Sequence, residues 1–203
     1  MTDPSPDLEG FEREFLALEA AASEPYSQFA FGTALTGRVQ ALLFERRVGE
    51  FVPPAGKLLF VDEQPAGMVA CLTGAALTRA RLGAGAALVR SGILQDAAVG
   101  RRVQLAATTL LKPAIDDFYL SRLAVADRFR NRGVGAALLK YVLAEAARAQ
   151  STRCLLEVEP QSAAAMALYQ RHGFEEIDRR SVADPESGRV LEYVHMQRRI
   201  ESR

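Results

Sequence analysis

From residue 118 onward, strand-like and helix-like patterns alternate in the order β-α-β-α-β-β, and that order leaves few ways to close a fold. Phe118–Val125 reads as a strand, followed by a glycine-containing turn and a helix over Gly133–Ala149. The apolar face of that helix is Val134, Ala137, Leu138, Tyr141 and Val142 at three-and-four spacing. Arg153–Glu159 is a second strand and Ser162–His172 a short helix. Gly173 stands where a left-handed residue closes a helix, with Phe174 as its hydrophobic follower. Strands over Phe174–Val182 and Arg189–Arg198 flank the turn Asp184-Pro185-Glu186-Ser187-Gly188. Strands joined through a helix pair in parallel and strands joined by a tight turn pair antiparallel, so the order requires a mixed sheet with helices packed on it.

The first half fits the same α/β class. Leu8, Phe11, Phe15, Leu16 and Leu18 mark an amphipathic helix from Leu8 to about Ala22. A second helix is predicted over Ala34–Val48, with Leu35, Val39, Leu42 and Leu43 on one side, ended by Pro53-Pro54. Lys57–Val61, the turn Asp62–Pro65 and Gly67–Leu72 form a hairpin. Residues 75–112 are rich in alanine, leucine and arginine without strand alternation, and are predicted as helices punctuated near Gly92 and Gly100. That stretch is longer than a simple connection. The acidic, proline-broken first seven residues are expected to be a disordered tail, and the whole chain, 1–203, to be one domain.

Composition narrows the function classes. Apolar residues are 49% and charged residues 25% of 203, which is the globular average. Lys+Arg and Asp+Glu both total 25, whereas a generalised nucleic-acid or membrane-surface binder would be basic. Two histidines, His172 and His195, and two distant cysteines, Cys71 and Cys154, do not make a metal-ligand cluster. The histidines read as packing or surface residues and Cys154 as a buried inert thiol. The acidic, proline-broken first seven residues are unlike a basic-then-apolar leader, and the longest apolar stretch, roughly Ala66–Leu77, is well short of the ~20 residues of a membrane span, so neither is expected. A cytoplasmic protein with reduced thiols is expected.

One turn stands out chemically. Arg130-Asn131-Arg132-Gly133-Val134-Gly135-Ala136 lies between a strand and a helix. Two glycines let backbone approach a ligand closely, and the helix that follows aims its free N–H groups at whatever lies in front, which favours phosphates. Arg128, Arg130 and Arg132 add positive charge. A Walker A reading fails because no Gly-Lys-Ser/Thr run follows, and a dinucleotide fingerprint fails because Leu138 stands where its third glycine belongs. The same heptapeptide would also serve as an ordinary β-to-α turn with solvated arginines.

Leu120-Ser121-Arg122-Leu123-Ala124-Val125, then four residues, then Arg130-x-x-Gly133-x-Gly135 resembles the acetyl-CoA motif of the GNAT N-acetyltransferases. Independently, Leu156-Glu157-Val158-Glu159-Pro160-Gln161-Ser162 followed by Ala163…Leu168-Tyr169…Gly173-Phe174 resembles that family's later strand and helix. The two signatures stand in the right order and span roughly residues 118–174. The resemblance implies a GNAT-like mixed, mostly antiparallel central sheet flanked by helices, with 75–112 as a helical insertion before the motif strand, on the acceptor side. It also implies an acetyl-CoA-dependent N-acetyltransferase in which an amine attacks the thioester directly within a ternary complex.

Carried over residue by residue, the main chain of Leu123, Ala124 and Val125 would bind the pantetheine arm and polarise the thioester carbonyl. The amides of Arg130, Asn131, Arg132, Gly133, Val134, Gly135 and Ala136 would hold the pyrophosphate. Tyr169 matches the tyrosine that protonates the departing CoA thiolate, although a tyrosine on a short helix also serves as core packing. Glu157 matches a general base, with a solvated edge carboxylate as the bland alternative; strand alternation puts Glu157 and Glu159 opposite Leu156 and Val158. Asp116 and Asp117 are rival bases acting through water. Ser162 departs from the family's asparagine that contacts CoA, yet serine suits a helix N-cap. Asp127 stands where the family often has proline. No metal is implied, and since sheet edges of such domains often pair, a homodimer is admitted. The alternative function is a non-catalytic acyl-CoA binding or sensing module with the same fold.

Overall fold

The computed structural model describes residues 3–200. Helices α1 (Glu12–Ala30) and α2 (Gly32–Glu45) precede a hairpin of β1 (Gly56–Val61) and β2 (Gln64–Thr73). Helices α3 (Gly74–Arg90) and α4 (Ala97–Ala107) then intervene before β3 (Phe118–Val125), α5 (Val134–Arg148), β4 (Arg153–Val158), α6 (Ala163–Arg171), β5 (Glu175–Ala183) and β6 (Val190–Arg199). The six strands form one sheet in the order β1-β2-β3-β4-β6-β5. Only β3 and β4 pair in parallel; the other four pairings are antiparallel. The mixed, mostly antiparallel sheet is the one expected, and it has the helical insertion before β3.

The sheet separates two helical layers. On one face α5 and α6 bury Leu138, Leu139, Val142 and Tyr169 against Leu120, Leu156, Val194 and Met196. On the other, α1 packs Phe15 over Leu58, Met68 and Ala70. Leu77 of α3 and Leu111 cover Leu72, Tyr119 and Leu155, while Phe29 of α1 and Ala106 of α4 meet Leu191 and Tyr193. The insertion thus joins α1 and α2 on one side of the sheet.

Several expectations are corrected. Helix α1 begins at Glu12 and runs on to Ala30, eight residues past the predicted end, with Pro25 inside it. Proline removes one helical hydrogen bond, but burial of Ser23, Ser27, Phe29 and Ala30 carries the helix through. Gly92, at φ +78°, does interrupt the insertion; Gly100 lies within α4 and breaks nothing. Helix α4 instead starts at Asp96, whose carboxylate accepts from the N–H groups of Ala98 and Val99. The described part of the expected disordered tail is ordered: Ser5 and Leu58 exchange backbone N–H···O bonds of 2.7 and 2.9 Å, and Pro4 is buried. Unpaired groups on edge strand β1 supply the physical reason.

Candidate functional site

The parallel pair that joins the two halves of the sheet is short. Phe118, Tyr119 and Leu120 pair with Cys154, Leu155 and Leu156, and there the ladder stops. Beyond that point β3 and β4 part, and residues 121–125 of β3, still paired with β2, are only half-buried. The N–H of Ala126 donates to Ala66 on the β2 side. Successive amides of a strand point to opposite edges, so those of Leu123 and Val125 point away from β2 into the opened gap. Ala124, between them, pairs with Met68.

A β-bulge re-aims side chains at the same place. Ala70 pairs with Arg122 but Cys71 with Leu120, so Ser121 is the extra residue. The alternation therefore changes phase: Leu120, Leu123 and Val125 lie toward α5 and α6, while Tyr119, Ser121 and Arg122 line a cavity on the opposite face.

Where β3 ends, a turn at Asp127–Phe129 leads to α5. Asn131 and Gly133 have φ of +58° and +81°. A Cβ at Gly133 would meet nothing within 4 Å, whereas one at Gly135 would lie 3.3 Å from Leu168 of α6 and 3.6 Å from Val125. Gly133 is thus needed for conformation and Gly135 for the close approach of α5, α6 and β3. Within α5 the first intrahelical donor is Ala137, to Gly133, so Val134, Gly135 and Ala136 keep free N–H groups at the helix's positive end. The Arg130 amide is not part of this set: it donates to Asp127, and its guanidinium pairs with Asp127 at 2.8 Å on an exposed surface. The Arg128 and Arg132 guanidiniums lie 5.1 and 5.2 Å from the ring centre of buried Phe129, holding both charges beside the turn.

Tyr169 is 7% exposed, its ring 5.9 Å from that of Phe174. Burial, with a smaller push from Cys154, raises its phenol well above the ordinary value, so it stays protonated. Ser162 occupies the N-cap position of α6 but makes no side-chain cap bond, contrary to the capping expected; its φ and ψ of −81° and 64° depart from the usual cap geometry.

Glu157 lies one residue beyond the last parallel pair, on the sheet face opposite Leu156, Val158 and Tyr169. It is no solvated edge carboxylate. Its two oxygens accept from the Tyr119 hydroxyl and the Leu111 N–H. Burial raises its carboxyl above the usual range, while Tyr119, Leu111 and the Arg81 charge pull it partly back. Asp117 is occupied otherwise: it receives Arg153 at 2.7 and 3.1 Å and the Ala114 N–H at 2.6 Å. That ties down the start of β3 and leaves Asp117 ill-suited as a rival base. Asp116 contributes its carbonyl to Thr152.

The cavity that Glu157 faces is about 310 Å³. Its polar wall went unread in the sequence: Arg81 binds Glu50 at 2.7 Å, Ser121 donates to Glu50 at 2.7 Å, and Arg122 meets Glu19 at 3.3 Å. These residues come from α1, the α2–β1 loop, α3 and β3. The one sequence signal was a strand carrying Tyr119, Ser121 and Arg122 among apolar residues. His195 is fully buried with Nε2 2.6 Å from the Thr109 carbonyl, and His172 Nδ1 is 2.9 Å from the Leu168 carbonyl, so both are packing residues as expected. Cys71 and Cys154 are buried free thiols. Among the described residues no helix is long and apolar enough to cross a membrane.

Residues 94–176, from the turn before α4 into β5, match the family model of the acetyltransferase (GNAT) domain. Similar solved structures include an acetyltransferase, 16% identical at a TM-score of 0.64, covering 98% of this chain and 100% of the other. The N-acetyltransferase from Staphylococcus aureus Mu50 is 15% identical at 0.61, covering 97% and 98%. The Bacillus subtilis acetyltransferase in complex with CoA is 11% identical at 0.52, covering 93% of each chain. At these identities the likeness is one of fold. No curated protein matches the sequence significantly. The stretch that matches the acetyltransferase (GNAT) domain model holds the opened β3–β4 pair, the glycine turn and Tyr169, and the fold around it is the one shared with these acetyltransferase structures.

Proposed function

We propose that the chain, acting as one domain in the cytoplasm, transfers the acetyl group of acetyl-CoA to a primary amine by direct attack in a ternary complex. One observation carries this reading: the gap between β3 and β4 lies between a turn of free N–H groups on one face and a cavity lined by half-buried Glu157 on the other. The amides of Asn131 to Ala136 are suited to the CoA pyrophosphate, and those of Leu123 and Val125 to the pantetheine arm and the thioester oxygen. An amine acceptor arrives largely as ammonium. Glu157, a carboxylate made more basic by burial, removes its proton. The free amine then forms the new C–N bond as the C–S bond breaks; Tyr169 supplies a proton to the departing thiolate, and the proton that the acylated nitrogen sheds through solvent restores it. The two residues stand on opposite faces of the sheet, so acid and base need not neutralise each other. Ser162, at the start of α6, is left with a hydroxyl free for the cofactor.

The test begins with thermal denaturation in acetyl-CoA, CoA, ATP and NADH. Acetyl-CoA at a hundredfold excess over its dissociation constant adds about 2.7 kcal/mol of apparent stability. Glu157→Gln and Tyr169→Phe are expected to keep that shift while amine-dependent CoA release falls by about 10²-fold or more for Glu157→Gln. Acetyl-CoA binding without turnover of any amine would point instead to a sensing module.

A further inference from the structure

We infer that the acceptor is a small primary amine on an uncharged, apolar body, and neither a peptide nor an amino acid; this deepens the acetyl-transfer reading and rests on it. Three features of the cavity facing Glu157 carry the inference.

The first is enclosure. Helices α1 to α4 all contribute to the wall, through Tyr26, Val39, Leu88 and Val103 among others. Leu88 and Val39 are themselves buried in a helix-to-helix cluster with Phe31 and Val99. A polypeptide laid across this face would have to displace α3 and α4, and with Leu111 it would lose a hydrogen-bond donor to Glu157. The second is size. About 310 Å³ is at the lower end for small-molecule sites, which run from ~300 to 1,000 Å³.

The third is charge. The cavity is lined by three carboxylates and two guanidiniums. Arg81 is matched by Glu50 and Arg122 by Glu19, with Gln40 donating a further bond to Glu19 at 2.5 Å. Glu157 has no cationic partner within 4 Å among the described residues. The uncompensated group is therefore an anion, which suits an ammonium. An acceptor carboxylate would be buried with no unmatched cation to receive it. The remaining wall carries no charge: Phe31, Phe51, Leu88 and Leu110 suit a hydrocarbon or aromatic body, and the hydroxyls of Ser23, Ser27 and Thr36 are spent on Ala20, Ser23 and Gly32 within their own helices.

The experiment follows CoA release from acetyl-CoA with four acceptors: 2-phenylethylamine, hexylamine, phenylalanine, and an eight-residue peptide with a free N-terminus and one lysine. The expected kcat/KM is at least tenfold higher for the better small amine than for phenylalanine or the peptide. Gly85→Leu, which fills the cavity wall from a helical position where a Cβ meets nothing within 4 Å, is expected to lower small-amine turnover at least tenfold while leaving the acetyl-CoA thermal shift intact. Turnover of the peptide or phenylalanine equal to or above that of the amines overturns the inference but leaves acetyl transfer standing. Turnover of none of the four by a protein that binds acetyl-CoA overturns the inference too, and a wider amine panel then separates transfer from sensing. Absence of any acetyl-CoA shift overturns the acetyl-transfer reading, and the acceptor assignment with it.

Discussion

Burial makes a carboxylate a better base only if some neighbour keeps it from being neutral at all working pH values. At Glu157 that neighbour is Tyr119: burial raises the carboxyl, and the tyrosine's donated hydrogen bond lowers it again. Tyr119→Phe removes the donor, so the Glu157 pKa rises further. A base works deprotonated, and activity falls as pH drops through its pKa. The acid limb of the kcat/KM profile should therefore move to higher pH in Tyr119→Phe than in the unaltered protein. An unmoved limb would separate Glu157 from the reaction. Glu157 and Tyr169 could be picked out in the sequence because each sits inside a motif of fixed spacing. Tyr119, Glu50 and Arg81 could not, because each is in contact with residues 30 or more positions away.

The turn before α5 shows what one element owes to two backbone angles. Gly133 at φ +81° closes the turn and presents the first free amides of α5. Gly133→Ala forces an L side chain into the left-handed region at a cost of about 1–2 kcal/mol. Its methyl would also project into the open space in front of the helix. Denaturant unfolding should read that loss, and acetyl-CoA affinity should fall at least tenfold. Lost stability with unchanged affinity would make the segment an ordinary turn. This element was legible from its residues because glycine pairs and helix starts are local. The bulge at Ser121 was not: an extra residue is defined only against the β2 strand that it fails to match, so alternation alone gave no change of phase.

Across the whole molecule the edges and the insertion matter most. Removing residues 1–7 deletes both backbone bonds between Ser5 and Leu58, worth about 1 kcal/mol each, and re-exposes β1. Urea unfolding should show a loss of about 2 kcal/mol, and sizing should show increased self-association; a disordered tail would give neither. Trimming α3 and α4 is a poorer probe of acceptor choice than filling the cavity, because these helices also cover Leu72, Tyr119 and Leu155 through Leu77 and Leu111. By itself the sequence determined the elements of the second half, their mixed pairing and the glycine turn, since hydrophobic period, turn residues and short motifs act over a few positions. It also placed Glu157 opposite Leu156 on its strand. Only the tertiary structure decided where β3 and β4 part, which residues wall the cavity, and that its three carboxylates outnumber its two guanidiniums. Those are properties of distant segments brought together, and burial, charge balance and pKa exist only once that has happened.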